Sequence, residues 1–314
     1  LTQVTNDPKY YDATERIKKM FYRLQNETTV PGMWTHDINY RQEVLIPSRY
    51  SLGGGADSMY EYLPKMHQLL GGLDPEYTTM AIHSLQAAKD FLLFRPMSLH
   101  DDDILLPGSG TLDGEKEFST EAEHLACFAG GMYALAGKLF SRQDFLDTGS
   151  RLTGGCVWLY DTMPGKIMAE NQELRACTNV KGPCPYEPQL FQQSQSQGLP
   201  PGVARVRATH YSLRPEAIES VYYMWRITGE QKWRDAAWRM WEGIVAAAET
   251  EVAFATVKDV TRAIEPGLED VMETFWLGET AKYFYLIFED ESVINLDEWV
   301  FNSEAHPFRL DYKA

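Results

Sequence analysis

The 314-residue sequence has few basic residues and few cysteines, and it lacks long apolar runs. Its 29 Lys and Arg stand against 45 Asp and Glu, for a formal net charge of −16. This charge repels phosphate backbones and argues against a nucleic-acid partner. No apolar run approaches the roughly 20 residues of a membrane span, because runs such as 243–248 are too short. An acidic surface instead fits a protein that handles a neutral polymer such as a glycan.

The four cysteines leave two possibilities open at this point. Cys177 and Cys184 lie close together in a Gly- and Pro-rich stretch, so proximity suggests that they pair. Asn26-Glu-Thr28 is an N-glycosylation sequon, which fits a lumenal or secreted chain. The alternative is a cytosolic protein with four reduced thiols. The first five residues have neither the basic head nor the apolar core of a signal peptide, so a targeting segment is expected upstream.

A helix start rich in charge lies at residues 213–220, Leu-Arg-Pro-Glu-Ala-Ile-Glu-Ser. Proline suits the first helical position, because its φ is preset and its missing N–H would be unpaired there, so Pro215 predicts where the helix begins. Glu216 and Glu219 then lie three residues apart on one face, with Arg214 just outside. Acidic residues are also ordinary in a first turn, where they meet the positive end of the helix dipole. A chemical role therefore depends on what accompanies this segment.

Aromatic residues recur just after turn signals, each followed four residues later by a small or short side chain. The pairs are Tyr10/Thr14, Tyr77/Ala81, Phe145/Gly149 and Trp233/Ala237. Amphipathic runs at 60–70, 124–139 and 218–227 precede three of these junctions, which predicts a series of αα-hairpins. Strand-like alternation is scarce, and a Pro-, Gly- and Gln-rich insertion at about 164–207 predicts a loop. The fold class is therefore all-α, and the repeat fits either a toroid or a solenoid.

Three further clusters of acidic and aromatic residues lie at 57–62, 273–280 and 300–307. Together with residues 213–220 they closely resemble the signature segments of the class I α-1,2-mannosidases, glycoside hydrolase family 47. The blocks LRPE, ADSxYEYL, FxLGET and VFNxEAHP keep the order of that family. The resemblance runs from about the first residue to about Pro307.

This resemblance implies a toroid of αα-hairpins, the (αα)7 barrel, plugged by a short extended C-terminal segment. It also implies a disulfide between Cys127 and Cys156, and a location in the lumen of the secretory pathway (endoplasmic reticulum or Golgi) or outside the cell. Matching begins well inside the family's domain, so residues 1–314 are expected to form a single catalytic domain that is incomplete at its N-terminus. The missing hairpins, upstream or on a separate chain, would carry one of the catalytic carboxylates.

Two residues are the catalytic candidates that the resemblance implies. Glu216 matches the family's general base. Asp57 matches a second catalytic carboxylate, considered in the family to be an acid that acts directly or through water. Inverting hydrolysis needs one acid to protonate the leaving oxygen and one carboxylate to deprotonate water on the opposite face of the sugar. The alternative for Asp57 is a helix N-cap, since Ala-Asp-Ser before an apolar run is a good capping context.

The candidate substrate-binding residues come from the same motifs. Phe275 and Glu279 are one helical turn apart, so an aromatic face and a carboxylate can meet the same sugar. The others implied by the resemblance are Arg214, Glu219, Glu304 and His124, with ion pairing or structural hydrogen bonding as the alternative roles for Arg214 and His124. His306 is interpreted as structural. Gly55 stands where endoplasmic reticulum members carry arginine, which leaves room and predicts broader trimming.

Ser303 is the candidate metal ligand. In the family a threonine at this place binds calcium through its carbonyl and hydroxyl, with waters in the remaining sites, and oxygen-only coordination suits such a hard cation. Serine keeps the hydroxyl, so Ca2+ is the expected cofactor. No Cys/His zinc spacing is present. The run His100-Asp-Asp-Asp103 lacks a second acidic motif and is interpreted as a solvated loop.

The leading hypothesis is a calcium-dependent, inverting exo-α-1,2-mannosidase that trims terminal mannose from high-mannose N-glycans. One alternative is a mannosidase-like glycan-binding quality-control protein with weak or no catalysis. A helical-toroid terpenoid cyclase is a second alternative, but it would require a paired acidic metal site, which the sequence lacks.

Overall fold

Helices joined in antiparallel pairs dominate the computed structural model, which describes residues 1–111 and 117–310. The α-helices are α1 (Thr2–Thr5), α2 (Lys9–Leu24), α3 (Asp57–Leu69), α4 (Pro75–Phe91), α5 (Ala129–Leu139), α6 (Gln143–Thr162), α7 (Gln192–Ser196), α8 (Glu216–Thr228), α9 (Gln231–Ala248) and α10 (Ala281–Phe288). Short 3₁₀ turns cover Leu125–Phe128 and Pro188–Phe191, and a π-helical turn covers Trp276–Thr280.

Three of the four predicted hairpins are present, as α3/α4, α5/α6 and α8/α9. Their small residues lie at helix contacts: Ala81 and Ala237 are fully buried. A Cβ on Gly149 would come within 2.7 Å of the backbone of α5, so only glycine allows this approach. The first predicted hairpin differs, because α1 has only four residues and Tyr10 is partly exposed.

Local sequence signals fix the ends of these helices. The Asp74 side chain accepts a hydrogen bond from the Glu76 N–H and Pro75 follows it, a start that satisfies an otherwise unpaired donor. Gly229 ends α8 with φ 65°, a left-handed conformation that favours glycine.

Short antiparallel strands line the connections between the helices. They are β1 (Asp37–Asn39), β2 (Val44–Ile46), β3 (Tyr50–Ser51), β4 (Leu93–Phe94), β5 (Leu106–Pro107), β6 (Ser109–Thr111), β7 (Glu117–Ser119), β8 (Glu121–Glu123), β9 (Asn171–Leu174), β10 (Val203–Ala208), β11 (Thr256–Val257), β12 (Leu268–Glu269), β13 (Trp299–Phe301) and β14 (Pro307–Arg309). They pair as β1-β2, β3-β6-β7, β4-β5, β8-β9-β10, β11-β12 and β13-β14. The predicted loop at 164–207 thus contains two strands and a short helix.

The predicted extended tail is one strand of the β13-β14 hairpin, in which Phe301 pairs with Pro307. Val300 and Phe301 are almost fully buried. The Phe301 ring lies 5.8 Å from the Tyr222 ring and 5.7 Å from the Tyr283 ring. The C-terminal segment therefore enters the interior and packs between α8 and α10.

Both cysteine pairs form disulfides, Cys127–Cys156 and Cys177–Cys184. The first ties the 3₁₀ turn before α5 to α6. The second closes a small loop inside the 164–207 insertion. No described cysteine is free.

A buried lysine anchors α2 to the turn before α4. The Lys18 ammonium lies 2.8 Å from Glu15 and 2.7 Å from Glu76, and it also pairs with Asp74. Among the described residues, these three acids are the group of acidic or histidine side chains close enough together to chelate an ion. Since Lys18 contacts all three, the cluster is an ion-pair anchor.

Two further surface features bear on the sequence predictions. Within residues 1–111 and 117–310, no helix combines the length and apolarity that a membrane span requires. The acidic run at 100–103 is exposed and also forms ion pairs, Asp101 with Arg95 and Asp103 with Arg151.

Candidate active site

Glu216 is the first residue of α8, directly after Pro215, so the helix begins one residue later than predicted. Its Oε2 lies 2.9 Å from His124 Nδ1 and its Oε1 lies 3.4 Å from an Arg214 nitrogen. Burial alone would raise the pKa of Glu216, but the His124 hydrogen bond and the charges of its neighbours outweigh it and lower that pKa. Glu216 is therefore held as a carboxylate able to accept a proton.

Asp57 is the first residue of α3, and the N-cap is Ala56, so the N-cap interpretation of Asp57 is wrong. The side chain is half-buried. Burial raises the pKa of Asp57, and the charges of Glu61 and Glu216 raise it further. Asp57 and Glu216 therefore belong to one electrostatically coupled group with opposite shifts.

A glycine turn positions Asp57. Gly54 donates a 3.3 Å hydrogen bond to the Glu123 carboxylate, which ties the turn to the residue before His124. Gly55 is exposed with φ 89°, and a Cβ there would lie 3.6 Å from His36 Nδ1. A Cβ at Gly55 would make ordinary van der Waals contact with His36, but the backbone conformation disfavours any side chain.

Phe275 and Glu279 lie beside the start of α8. The Arg214 guanidinium carbon is 5.9 Å from the centre of the Phe275 ring, and the hydroxyl of Thr280 donates a 2.7 Å hydrogen bond to the Leu213 carbonyl. Glu279 lies in the π-helical turn, a rare conformation that occurs often at functional sites. The structure thus brings Arg214, Phe275 and Glu279 together with Glu216.

Glu279 carries an unusually high pKa for a carboxyl group. Burial raises it to about 7, with further contributions from the charges of Glu216, Glu304 and Glu61. Glu304 itself is exposed, in the β13-β14 turn. Its influence on Glu279 places it at the rim of the same site.

His124 and Glu219 are both buried in this structure, and their role in substrate binding stays a prediction. His124 has no exposed surface and its ring nitrogens bond Glu216 and Tyr160. Glu219 is buried against Lys65, 3.4 Å away, and burial raises its pKa.

Ser303 lies in the β13-β14 turn. Its hydroxyl is 3.2 Å from the Tyr62 hydroxyl, which also accepts a 3.2 Å hydrogen bond from the Ser303 N–H. His306 is exposed and 3.6 Å from Glu304, as a surface pair.

Sequence reasoning missed four residues of this site: Glu61, Lys65, Glu170 and Tyr160. Glu61 lies inside a motif already singled out and pairs at i,i+4 with Lys65, just beyond that motif, so their spacing was a usable signal. Glu170 pairs with Arg214 and accepts a hydrogen bond from the Ser212 N–H. It lies 44 residues from Arg214 with no local pattern to reveal it.

The site has more carboxylates than cations, which fits a bound cation. The acids are Asp57, Glu61, Glu170, Glu216, Glu219, Glu279 and Glu304. Lys65 and Arg214 each pair with two of them. Among the described residues these acids do not form a direct chelating group. Such a spacing suits an ion whose waters, rather than the ion itself, contact the carboxylates. Ser303 offers the neutral oxygens that a hard cation accepts.

Comparison with known proteins decides the family. Residues 1–310 match the model of glycosyl hydrolase family 47. The chain belongs to this family. The family 47 chain is 32% identical to the mannosyl-oligosaccharide alpha-1,2-mannosidase IA of Spodoptera frugiperda. It is 31% identical to the mannosyl-oligosaccharide 1,2-alpha-mannosidase IB of Homo sapiens.

Among solved structures, the family 47 chain is similar to the alpha-1,2-mannosidase from Trichoderma reesei, with a TM-score of 0.85 at 29% identity over 98% of the chain. This likeness confirms the all-α toroid predicted from the sequence. The chain spans 63% of that protein, and 42% and 44% of the Spodoptera and human relatives.

Proposed function

We propose that this chain carries most of the catalytic centre of a calcium-dependent, inverting exo-α-1,2-mannosidase that trims terminal mannose from high-mannose N-glycans. The observation that carries the proposal is the coupled pair Glu216 and Asp57, whose pKa values move in opposite directions. Carboxyl groups pushed apart in this way suit separate base and acid roles. The names of the relatives support mannose as the sugar.

In the proposed reaction Glu216 accepts a proton from water, and the water oxygen bonds to the anomeric carbon as the glycosidic bond breaks. The leaving oxygen takes a proton from the acid side of the site, where Asp57 lies. Arg214 keeps Glu216 ionised and offers N–H donors to sugar hydroxyls. Phe275 supplies an apolar face for the C–H side of the ring, and Glu279 accepts from hydroxyls.

Calcium would be held by the carbonyl and hydroxyl of Ser303, and it would supply positive charge and oxygen coordination to sugar hydroxyls. Glu61, Glu219, Glu279 and Glu304 would accept hydrogen bonds from its waters. Lys65 keeps the first two of these carboxylates in place.

We also propose that residues 1–314 are part of a larger barrel. Exposed apolar residues lie on α2 and on the α9/α10 side, at the two ends of the helix series: Tyr11, Ile17, Trp238 and Tyr285 are each half or more exposed. The N-terminal portion of the domain would cover both faces and bring a further carboxylate.

The exposed sequon at Asn26 and the two disulfides support a lumenal or secreted location.

The test is mannose release from a nine-mannose glycan by the chain together with the N-terminal part of the domain. Glu216→Gln should lower kcat by about 1000-fold, because an amide cannot accept the proton of water. Glycan affinity should stay within about threefold, since the shape is kept. Glu242→Gln, on the exposed face of α9, is the matched control and should leave kcat unchanged. If the unmutated protein bound the glycan but released no mannose, the quality-control alternative would be favoured. If Glu216→Gln released mannose at a rate within tenfold of the unmutated protein, Glu216 would be rejected as the base.

A further inference from the structure

A line of hydrogen bonds runs from Glu216 away from the cleft into the interior. His124 Nδ1 lies 2.9 Å from Glu216, and His124 Nε2 lies 2.8 Å from the Tyr160 hydroxyl. His124 and Tyr160 are fully buried, at 0% and 1% exposure. In this structure both side chains reach the cleft through their neighbours, and His124 does so through Glu216.

The chemistry of the three groups fixes where the protons lie. A carboxylate only accepts hydrogen bonds, so the proton of the neutral His124 ring belongs on Nδ1, facing Glu216. Nε2 is then an acceptor, and it needs a donor because a buried acceptor without one is costly. Burial raises the pKa of Tyr160 well above its usual value, so its hydroxyl keeps its proton and can donate.

Arg214 provides a positive charge 3.4 Å from Glu216 and pairs with Glu170. A His124 ring with its proton on Nδ1 satisfies both hydrogen-bonding neighbours, because Nδ1–H donates to Glu216 and Nε2 accepts from Tyr160.

We propose that Tyr160 is a positioning residue for Glu216: its hydroxyl donates to His124 Nε2, fixes the Nδ1–H tautomer, and so holds the Glu216 carboxylate ionised and oriented. This inference rests on the proposed role of Glu216 as the base. It assigns Tyr160, which no motif in the sequence singled out, to the reaction.

The fold holds His124 and Tyr160, the two buried members of this hydrogen-bonded series, close together. Tyr160 lies one helical turn after Cys156 on α6, and Cys127 lies three residues after His124. The Cys127–Cys156 disulfide therefore fixes the segment that carries His124 against the helix that carries Tyr160. The Tyr211 ring packs on both, 5.6 Å from His124 and 6.3 Å from Tyr160.

The other charged or titratable groups around Glu216 are Arg214 before α8, Glu219 on α8, Asp57 on α3, Glu279 in the π-helical turn, Tyr211 before α8, and Glu170 beyond Arg214. Of these, Tyr211 also hydrogen-bonds Tyr160. A change in the ionisation of Glu216 in a Tyr160→Phe variant would therefore come through His124 or through Tyr211, and the ring 15N shifts of His124 distinguish the two routes.

The kinetic test compares Tyr160→Phe with Tyr133→Phe in the chain combined with the N-terminal part of the domain. Tyr133 is an equally buried tyrosine whose hydroxyl donates to the Leu85 carbonyl at 2.7 Å, outside the site. Tyr160→Phe should lower kcat about tenfold with KM within twofold, and should move the acidic limb of the pH profile to higher pH, because Glu216 loses part of its support. Tyr133→Phe should leave the profile in place. An unmoved acidic limb in Tyr160→Phe would reject the proposal.

A second measurement does not depend on activity. The 15N NMR shifts of His124, assigned with a His124→Gln variant, should show a neutral ring protonated at Nδ1, and Tyr160→Phe should shift the Nε2 signal. Either of two results for the parent protein at neutral pH would overturn the proposal: a neutral His124 ring protonated at Nε2, or an imidazolium protonated at both nitrogens. This outcome can be read even if Tyr160→Phe does not fold. If the parent protein released no mannose, only the proposed function would fail, and these shifts would still decide the role of Tyr160.

Discussion

Glu216 and Asp57 lie at the starts of two different helices, α8 and α3, and influence each other's ionisation. Burial opposes ionisation at both residues. Only Glu216 has a hydrogen-bonding histidine and a nearby guanidinium to offset it. The difference between the two carboxyl groups therefore comes from their neighbours and not from their depth.

We expect a bell-shaped pH profile of kcat/KM with its maximum on the acidic side of neutrality. Glu216 must be ionised, and its lowered pKa places that limb below the usual range of a glutamate. Asp57, with a raised pKa, loses its proton as pH rises, which lowers the rate on the basic side. Rates of mannose release from pH 3 to 9 measure both limbs. A maximum above pH 8 would contradict the acid and base roles.

Calcium should stabilise the folded protein as well as activate it. An ion bound only by the folded state adds about 2.7 kcal/mol at a concentration 100 times its Kd, so a chelator should lower Tm and calcium should restore it. Ser303→Ala should weaken the restoring effect by at least tenfold in calcium concentration, because one protein oxygen is lost. Ser292→Ala, an exposed serine bonded only to nearby Asp290, is the control. A Tm that is indifferent to calcium would remove the metal from the proposal.

The helix pattern could be predicted from sequence because it depends on local signals. Turn residues and apolar spacing indicated α3/α4, α5/α6 and α8/α9, and the motif order indicated which segments meet. The inward β13-β14 hairpin was visible only as an extended tail, since strand pairing between residues such as Phe301 and Pro307 depends on the core they enter.

The site was predictable where a motif carried it and not where distant residues supply the partners. Glu216, Asp57 and Glu279 were found from their segments. Burial in the folded chain decides which residues line the cleft and which lie behind it. No sequence pattern shows that the His124 side chain has no exposed surface. Tyr160 lies 36 residues from His124, and only the packing of α6 brings them together.

Gly55→Arg should narrow trimming toward one branch of the glycan while also lowering stability. The new side chain contacts His36 and adds a donor, but φ 89° strains any residue other than glycine, at a cost of about 1–2 kcal/mol. Gly55→Ala carries the same strain without the guanidinium, so it isolates the specificity effect. The order of products from a nine-mannose glycan is the measurement. If the arginine and alanine variants gave the same series, Gly55 would not control branch choice.

The exposed apolar faces give the last prediction. Trp238, Tyr285 and Phe288 border a surface cavity of about 340 Å³ between α9 and α10, and Tyr285 is 59% exposed. Exposed patches of this kind mark surfaces that another segment covers or that cause aggregation. We therefore expect residues 1–314 expressed alone to aggregate and to release no mannose, because the apolar faces are uncovered and the proposed larger barrel takes a further carboxylate from its N-terminal part. Supplying the N-terminal part of the domain, even as a separate polypeptide, should restore both properties.

A variant on the apolar face of α10 tests whether packing of the N-terminal part on this face is needed for rescue. Tyr285→Glu should reduce aggregation of residues 1–314 and also block rescue by the N-terminal part, because a charge on α10 disfavours the apolar contact. Leu99→Glu, at a leucine that is 51% exposed in the loop between β4 and β5, should do neither. Light scattering and mannose release measure the two effects. A monomeric and active preparation of residues 1–314 alone would show that the α2 and α10 faces need no covering and that the carboxylates described above suffice for the reaction.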